Sequence, residues 1–373
     1  MTTVAILGGG QLARMLAIAG HRLGVQCRTL DPEAESSASP VAESIHAPWN
    51  DHRAVGRLAA GATVATFERE HLPLSTVTEL AQLVPLRPGP EALQCLQHRG
   101  DQRRFLARLG LEQPKVAFPT DENSYRRALA DMGLPVVVKS ARDGYDGRGQ
   151  CVVRSAADAA WAWTELSASD LVVERFVPFD EELALVAVRG SNGEFSAWPL
   201  VRTYQVDGVL AMASPMSAAG ALQVQAEAIT RRIADALGYI GVLCVEFFRV
   251  GERLLINEVA PRVHNSGHWT IEGAECSQFE NHLRAILGWP LGSTALRGAS
   301  AVVNLIGAMP ERARALRVPG VHWHDYGKRP RPGRKVGHLT ITAPSADELD
   351  ERLGRLRSGG ISIPAHMTSS TLG

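Results

Sequence analysis

The sequence predicts a mixed α/β and α+β fold in three consecutive units. Three observations predict it. Thr3 to Leu7 is a short buried-strand pattern, followed by three glycines and the helical periodicity of LARMLAIAGHRLG. From residue 136 onward, β-rich runs such as PVVVKSA, QCVVR, DLVVERFV and LALVAVRG alternate with few helices and many hairpin-length gaps. The last stretch, AVVNLIG through ITAPSADELDERLGRL, carries strands and one helix.

In order, strand, glycine turn and helix lead to CRTLDPE, a second strand ending at Asp31-Pro32, and then to the strand in GATVATFERE. That succession opens a parallel α/β unit. It is expected to span residues 1–97, past the turn-rich PLRPGPEA. His98 to Leu109 reads as a basic helix and ADAAWAWTEL as a second helix. FSAWPLVRTYQ, VLCVEFF and RLLINEV read as strands, and VQAEAITRRIADALG as a helix. These make an α+β unit over 98–298, with a small unit over 299–373.

The chain has 373 residues, enough for two or three domains, with 45% hydrophobic and 21% charged residues, as in soluble globular proteins. Lys+Arg and Asp+Glu both number 39, so no nucleic-acid or membrane partner is expected. Cys27, Cys95, Cys151, Cys244 and Cys276 are scattered, with no CxxC pair. That spacing argues against a disulfide framework or zinc site and for a reducing compartment. MTTVAILGGGQ lacks the charged start of a signal peptide, and its apolar run is short. A cytoplasmic location is the expectation.

Four segments carry chemistry. In GGGQLARM, Gly8 to Met15, glycines between strand and helix let the backbone approach an anion at the positive helix end. With Asp31 downstream, a dinucleotide site and a ligand-free tight turn fit this motif about equally. RDGYDGRGQ, residues 142–150, is followed by a strand pattern rather than a helix, so it is no Walker loop. It reads as a glycine flap that can donate N–H groups to phosphates, with Lys139 ending the strand before it. Glu246 and Glu258 sit among apolar residues on two strands flanking Gly251, with Asn257 adjacent. An odd hairpin loop would put both carboxylates on one face, a pair suited to Mg²⁺ on a nucleotide's phosphates. Lastly, HNSGHWT breaks the helix that zinc-binding His264 and His268 would need, and better suits an anionic substrate, as does RPRPGRKVGH with Arg331, Arg334 and Lys335.

A lysine, a glycine flap, an E-x-x-V hinge and a Glu…Asn-Glu hairpin together resemble the ATP-grasp superfamily. Within it, GGGQL, YDGRGQ, LINEVAPRVHNSGHWT and RPGRKVGH resemble the 5-(carboxyamino)imidazole ribonucleotide synthetase family, over about residues 3 to 342. The resemblance implies ATP-grasp architecture with an N-terminal Rossmann-like pre-ATP-grasp domain and a small C-terminal domain, assembled as a homodimer. It implies a purine-pathway reaction: ATP, bicarbonate and 5-aminoimidazole ribonucleotide give the N5-carboxylated nucleotide, ADP and phosphate.

It also implies roles. ATP would meet Arg99, Lys139, the flap Gly144, Tyr145, Asp146, Gly147, Arg148, Gly149 and Gln150, and the adenine hinge Glu174, Arg175, Phe176 and Val177. Glu182 would take the ribose, with Gln205, Asn257 and Glu258 nearby. Mg²⁺ would sit on Glu246 and Glu258. The substrate nucleotide would meet Gln11, Leu12, Glu68, Tyr145, Arg148, Asn265, Ser266, Arg334 and Lys335. Asp146, Arg148 and Lys335 would act in catalysis. Three positions depart from the family pattern: Arg69 between the acids of FEREH, Gln205 where a histidine is frequent, and Ala13 for a glycine. Rival readings are a ligase carrying formate to glycinamide ribonucleotide, a nicotinamide-dependent dehydrogenase built on GGGQLARM, and an inactive nucleotide-binding scaffold.

Overall fold

The computed structural model describes residues 2–142, 149–167 and 170–364. The first unit contains β1 (Thr2–Leu7), α1 (Gln11–Arg22), β2 (Val25–Asp31), β3 (Glu43–His46), α2 (His52–Ala59), β4 (Val64–Phe67), α3 (Leu74–Leu83) and α4 (Pro90–Leu96). Its four strands pair in parallel in the order β3-β2-β1-β4. Helices cover both faces of such a sheet, so β1 and β4 read as unbroken apolar runs and are buried at nearly every position.

Next come α5 (Arg99–Arg108), β5 (Val116–Ala117), α6 (Glu122–Met132), β6 (Val136–Ser140), β7 (Gln150–Val153), α7 (Ala156–Leu166) and β8 (Leu171–Arg175). The strands form an antiparallel sheet, β5-β8-β6-β7. Capping boxes start α6 at Asp121 and α7 at Ser155.

A larger sheet then uses β9 (Glu181–Arg189), β10 (Phe195–Ala197), β11 (Val201–Val206), β12 (Val209–Pro215), α8 (Gly220–Ala236), β13 (Gly241–Val250) and β14 (Arg253–Ala260). A 3-10 turn at Asn265–Gly267, α9 (Thr270–Gly273) and α10 (Gln278–Leu287) follow, then β15 (Ala299–Ile306), α11 (Arg312–Leu316), β16 (Val321–Asp325), β17 (Lys335–Ala343) and α12 (Ala346–Ser358). FSAWPLVRTYQ is two strands rather than one. Pro199 falls in the gap between β10 and β11, where it has no N–H to give a ladder.

The nine-stranded sheet runs β14-β13-β9-β11-β12-β15-β17-β16, with β10 on β9. It passes continuously across residue 298, because β12 pairs with β15 at Met212↔Val303 and Ala213↔Val302. An edge left bare at β12 would expose a row of unpaired backbone groups, and β15 covers it.

Candidate active site

The hairpin β13–β14 builds the acidic end of the site. Its strands close at Val250↔Arg253 around a two-residue turn led by Gly251 at φ 60°. An even turn of this kind would set Glu246 opposite Asn257. The ladder instead shifts between Glu246 and Phe247, so that Phe247 pairs Ile256 while Glu246 pairs Glu258. Asn257 is the extra residue of a β-bulge. The expected odd loop is therefore absent, and the bulge does its work by bringing the two carboxylates across from each other.

Burial, then Glu258 and Glu182 nearby, push the Glu246 carboxyl up to about 8. Burial also raises Glu182 to about 6, against the pull of Lys139. Carboxylates crowded in this way favour a bound cation, beyond the partial compensation from Arg262 and Lys139. Among the described residues, no three His, Cys, Asp or Glu side chains form a metal-ligating group. Two carboxylates beside an amide oxygen suit an ion that takes its other ligands from water and phosphates, as Mg²⁺ does, so the donor set fits the group.

Lys139 is the penultimate residue of β6 and is buried. Its Nζ lies 2.8 Å from Glu174 Oε2 and 3.4 Å from Asn257 Oδ1. Burial lowers its pKa against the pull of Glu174. Glu174, on β8, also takes Arg103, whose Nε and Nη2 lie 2.7 and 2.6 Å from Oε1. Burial would raise this carboxyl, but Lys139 and Arg103 hold it at about 2. Arg99 Nη1 donates to Ser140 O at 3.0 Å, and its Nη2 lies 3.8 Å from Glu258 Oε2.

At the glycine turn, Gly9 N–H donates to Asp31 Oδ2 at 2.7 Å and Gly10 N–H to Glu68 Oε1 at 3.1 Å. A dinucleotide's pyrophosphate would need those N–H groups and would meet two carboxylates there, which removes the dinucleotide reading. Arg69 bridges the pair, 3.1 Å from Glu68 Oε1 and 3.4 Å from Asp31 Oδ2. A Cβ on Gly10, at an ordinary φ of −71°, would come within 2.8 Å of Glu68 Oε1. Gly10→Ala is therefore expected to dislodge Glu68 and lower stability by about 1–3 kcal/mol, the range for stranding a buried polar group, as urea unfolding would show.

Cations and neutral donors gather around this turn. Gln11 Oε1 accepts from Lys328 Nζ at 2.5 Å. Lys328 belongs to the site, although none of the sequence motifs singles it out. The signal available was the basic run beginning two residues after Tyr326, which extends to Lys335. Leu12 buries its side chain in the core, leaving its backbone N–H in the first turn of α1. Arg262 Nη2 sits 2.6 Å from Glu70 Oε1, tying the loop after β14 to the first unit. His264 lies 3.5 Å from Glu246 Oε1 and 2.9 Å from Ser266 Oγ. Burial, then Arg262, lower its pKa to about 3, so the ring is neutral near pH 7. Lys335, at the start of β17, contributes to that lowering.

The structure thus brings Arg99, Lys139, Glu174, Asn257 and Glu258 into direct contact. Glu182 is next, with Gln205 Nε2 at 3.4 Å. Asn265 and Ser266 lie beside His264 in the 3-10 turn. Gln11 and Glu68 meet at the glycine turn, while Arg334 donates to Arg329 O at 3.5 Å. Arg175 is exposed and Phe176 and Val177 half-buried at the hinge, with Gly149 and Gln150 leading into β7. Gly144, Tyr145, Asp146, Gly147 and Arg148 lie outside the described residues.

Family models match along the chain: a ribonucleotide synthetase preATP-grasp domain over residues 1–97, an ATP-grasp domain over 104–279 and a phosphoribosylaminoimidazole carboxylase C-terminal domain over 300–352. The N5-carboxyaminoimidazole ribonucleotide synthase of Pseudomonas aeruginosa is 44% identical over 95% of this chain and 98% of its own. That of Synechococcus elongatus is 38% identical over 93% and 91%. The crystal structure of N5-carboxyaminoimidazole ribonucleotide synthetase from Thermus thermophilus superposes with a TM-score of 0.92, at 46% identity over 98% of this chain and 100% of that one. The Aspergillus clavatus synthase in complex with ADP and 5-aminoimidazole ribonucleotide gives 0.88, at 31% identity over 96% and 98%. Three family models in succession and these relatives, up to 46% identical and covered over nine-tenths or more of both chains, show that the chain belongs to the N5-carboxyaminoimidazole ribonucleotide synthase family, within the ATP-grasp enzymes.

Proposed function

We propose that the protein is an ATP-dependent carbon–nitrogen ligase of purine biosynthesis, joining bicarbonate to the exocyclic amine of 5-aminoimidazole ribonucleotide. One observation carries this reading: the bulge at Asn257 makes the lysine contact and the Glu246–Glu258 pair neighbours along one strand. Phosphate-binding and metal-binding groups then meet at a single point.

The steps follow from the residues. Lys139 and Arg99 neutralise the ATP phosphates while Glu182 takes the ribose hydroxyls. A bicarbonate oxygen attacks the γ-phosphorus, the bond to the bridging oxygen breaks, and ADP leaves. Glu246 and Glu258 would hold Mg²⁺, which when bound would supply charge stabilisation to the transferring phosphoryl group. The substrate amine then attacks the carbon of carboxyphosphate, phosphate leaves, and Asp146 accepts the amine proton. Arg148 and Lys335 stabilise the carboxyphosphate charge. Gln11, Leu12, Glu68, Tyr145, Asn265, Ser266 and Arg334 hold the acceptor nucleotide. Carboxyphosphate hydrolyses readily, so the flap around Gly144 to Gln150 must exclude water while both substrates are present.

The same reading includes a cytoplasmic homodimer with working units at 1–97, 98–298 and 299–373. The five cysteines are free thiols, in keeping with a reducing compartment. No helix among the described residues is long and apolar enough to cross a membrane.

The test is ADP release from Mg-ATP with and without bicarbonate and 5-aminoimidazole ribonucleotide. Release is expected to depend on the nucleotide. Turnover with formate and glycinamide ribonucleotide instead, or NAD(P)H binding without ATP turnover, would sink the reading. Asp146→Ala is expected to keep ATP affinity and yield no carboxylated product; a main defect in ATP affinity would count against Asp146 as the proton acceptor.

A further inference from the structure

Helix α5 presents three side chains on one face, at the spacing of one helical turn. Arg99 reaches Ser140 O and Glu258. Gln102 pairs with Val259 as a strand neighbour would, its Oε1 accepting from Val259 N–H at 2.9 Å and its Nε2 donating to Val259 O at 3.0 Å. Arg103, buried, donates through Nη1 to Ile256 O at 2.9 Å and through Nε to Glu174 Oε1 at 2.7 Å. Gln113 Nε2 donates to Arg103 O at 2.9 Å, bracing the middle of the helix.

Ile256 and Val259 flank the bulged pair Asn257–Glu258. Glu174 lies on the small sheet and holds Lys139 from the neighbouring strand. One guanidinium therefore touches both sheets, the one that carries the phosphate lysine and the one that carries the metal carboxylates. Lys139 on Asn257 Oδ1 and Arg99 between Ser140 O and Glu258 link the same two sheets through side chains, whereas Arg103 links Glu174 to the hairpin backbone.

We infer that Arg103 is a positioning residue for ATP: it sets the Lys139 ammonium, through Glu174, at a fixed separation from the bulged metal hairpin, through Ile256 O. The inference rests on the ATP-dependent reading given above. Arg103 touches no reacting atom. Its planar fork reaches two acceptors from separate nitrogens in a fixed geometry, which the compact ammonium of lysine does not reproduce. Loss of that bridge leaves Lys139 and Glu174 paired and facing the hairpin through the side-chain contacts of Lys139 with Asn257 and of Arg99 with Glu258, without the bond from Arg103 to its backbone. Misplacement of about 1 Å in such a site can cost 10²-fold in rate.

The experiment is calorimetric binding of Mg-ATP, with no acceptor present, to wild type, Arg103→Gln, Arg103→Lys, Glu174→Gln and the double variant R103Q/E174Q. R103Q is expected to weaken ATP at least about tenfold, and R103K by less. If Arg103 acts through Glu174, the double variant should bind ATP about as R103Q does, a non-additive cycle. In turnover, the KM for 5-aminoimidazole ribonucleotide should stay within about twofold of wild type while kcat falls. A folded R103Q with wild-type ATP affinity, or additive losses in the cycle, would overturn the inference. Where R103Q is too unstable to purify, R103K decides alone: weakened ATP binding supports positioning, and wild-type affinity refutes it. Because ATP binding is read without acceptor, a wild type that binds ATP but ignores 5-aminoimidazole ribonucleotide refutes the proposed reaction and leaves the role of Arg103 to be decided by the affinities alone.

Discussion

Glu258→Gln is expected to lower acceptor-dependent ADP release by about 10²–10³-fold, the usual effect of losing one group aimed at transition-state charge. The bulge sets Glu258 directly opposite Glu246, and a neutral amide there would leave the proposed Mg²⁺ site a single carboxylate. The pH dependence follows from the same crowding. Without metal, Glu246 titrates at about 8 instead of its ordinary 4.5. Protons and Mg²⁺ compete for it, so half-saturating Mg²⁺ should rise as pH falls below about 8. At this carboxyl the folded state binds more protons than the unfolded one between those two values, so the contribution of Glu246 to metal-free stability should decline as pH rises from 4.5 to about 8. Buried neutral histidines such as His264 and His282 act in the opposite sense below 6.5, so the contribution is read as the difference between wild type and Glu246→Gln. Added Mg²⁺ should flatten the decline, and Glu246→Gln should remove its source. Thermal unfolding in EDTA and in Mg²⁺ across that range checks this without any turnover. Full activity in E258Q, or a metal-free stability difference between wild type and Glu246→Gln that is indifferent to pH, would rule the pair out as the Mg²⁺ site.

How much of this was legible in the chain depends on how local the cause is. The strand, glycine turn and helix from Thr3 to Leu16 stand out because each signal lies within a few residues. The same holds for Glu246 and Glu258, polar residues in two apolar runs. Helices α2 and α4, of eight and seven residues, carry too few turns for periodicity to show. The bulge at Asn257 is a shift of one residue in pairing, and residue pattern alone does not encode it. Long-range pairs are harder still. Gly9 and Gly10 look ready for a phosphate, yet their N–H groups go to carboxylates 22 and 58 positions away. Arg103 reads as one of several charges on a basic helix; that it is buried against Glu174, 71 positions on, appears only when the two sheets are in place. The resemblance supplied Glu174 as part of an adenine hinge. The structure adds that its carboxylate is engaged by two cations, so any contact with the base from that side chain must share it.

Lys139→Met should show how far that engagement matters. Methionine keeps most of the stem in the buried position and removes the ammonium. ATP affinity is expected to fall about 10–100-fold, the equivalent of roughly 1.5–3 kcal/mol for a hydrogen bond to a charged phosphate. Stability should fall as well. Removing one partner from a buried ion pair costs about 3–5 kcal/mol when the other charge is abandoned, and Arg103 remains here, so the loss should lie at or below the lower end. The sign of its pH dependence separates this from simple packing damage. Glu174 is held at about 2, below its ordinary 4.5, so its ion pairs add stability above pH 4.5 and lose it as pH falls through about 2. In K139M the carboxyl is held less firmly, so its smaller contribution, which also starts to fall near pH 4.5, should be exhausted at higher pH than in wild type. The gap between wild type and variant should therefore be widest near neutrality and close towards pH 2. At that acidic limit a protonated Glu174 leaves wild type with a buried, less compensated lysine, and methionine becomes the better residue. A stability penalty that stays constant from pH 7 to 2 would mean that Lys139 contributes packing alone and that Glu174 takes its charge compensation from Arg103.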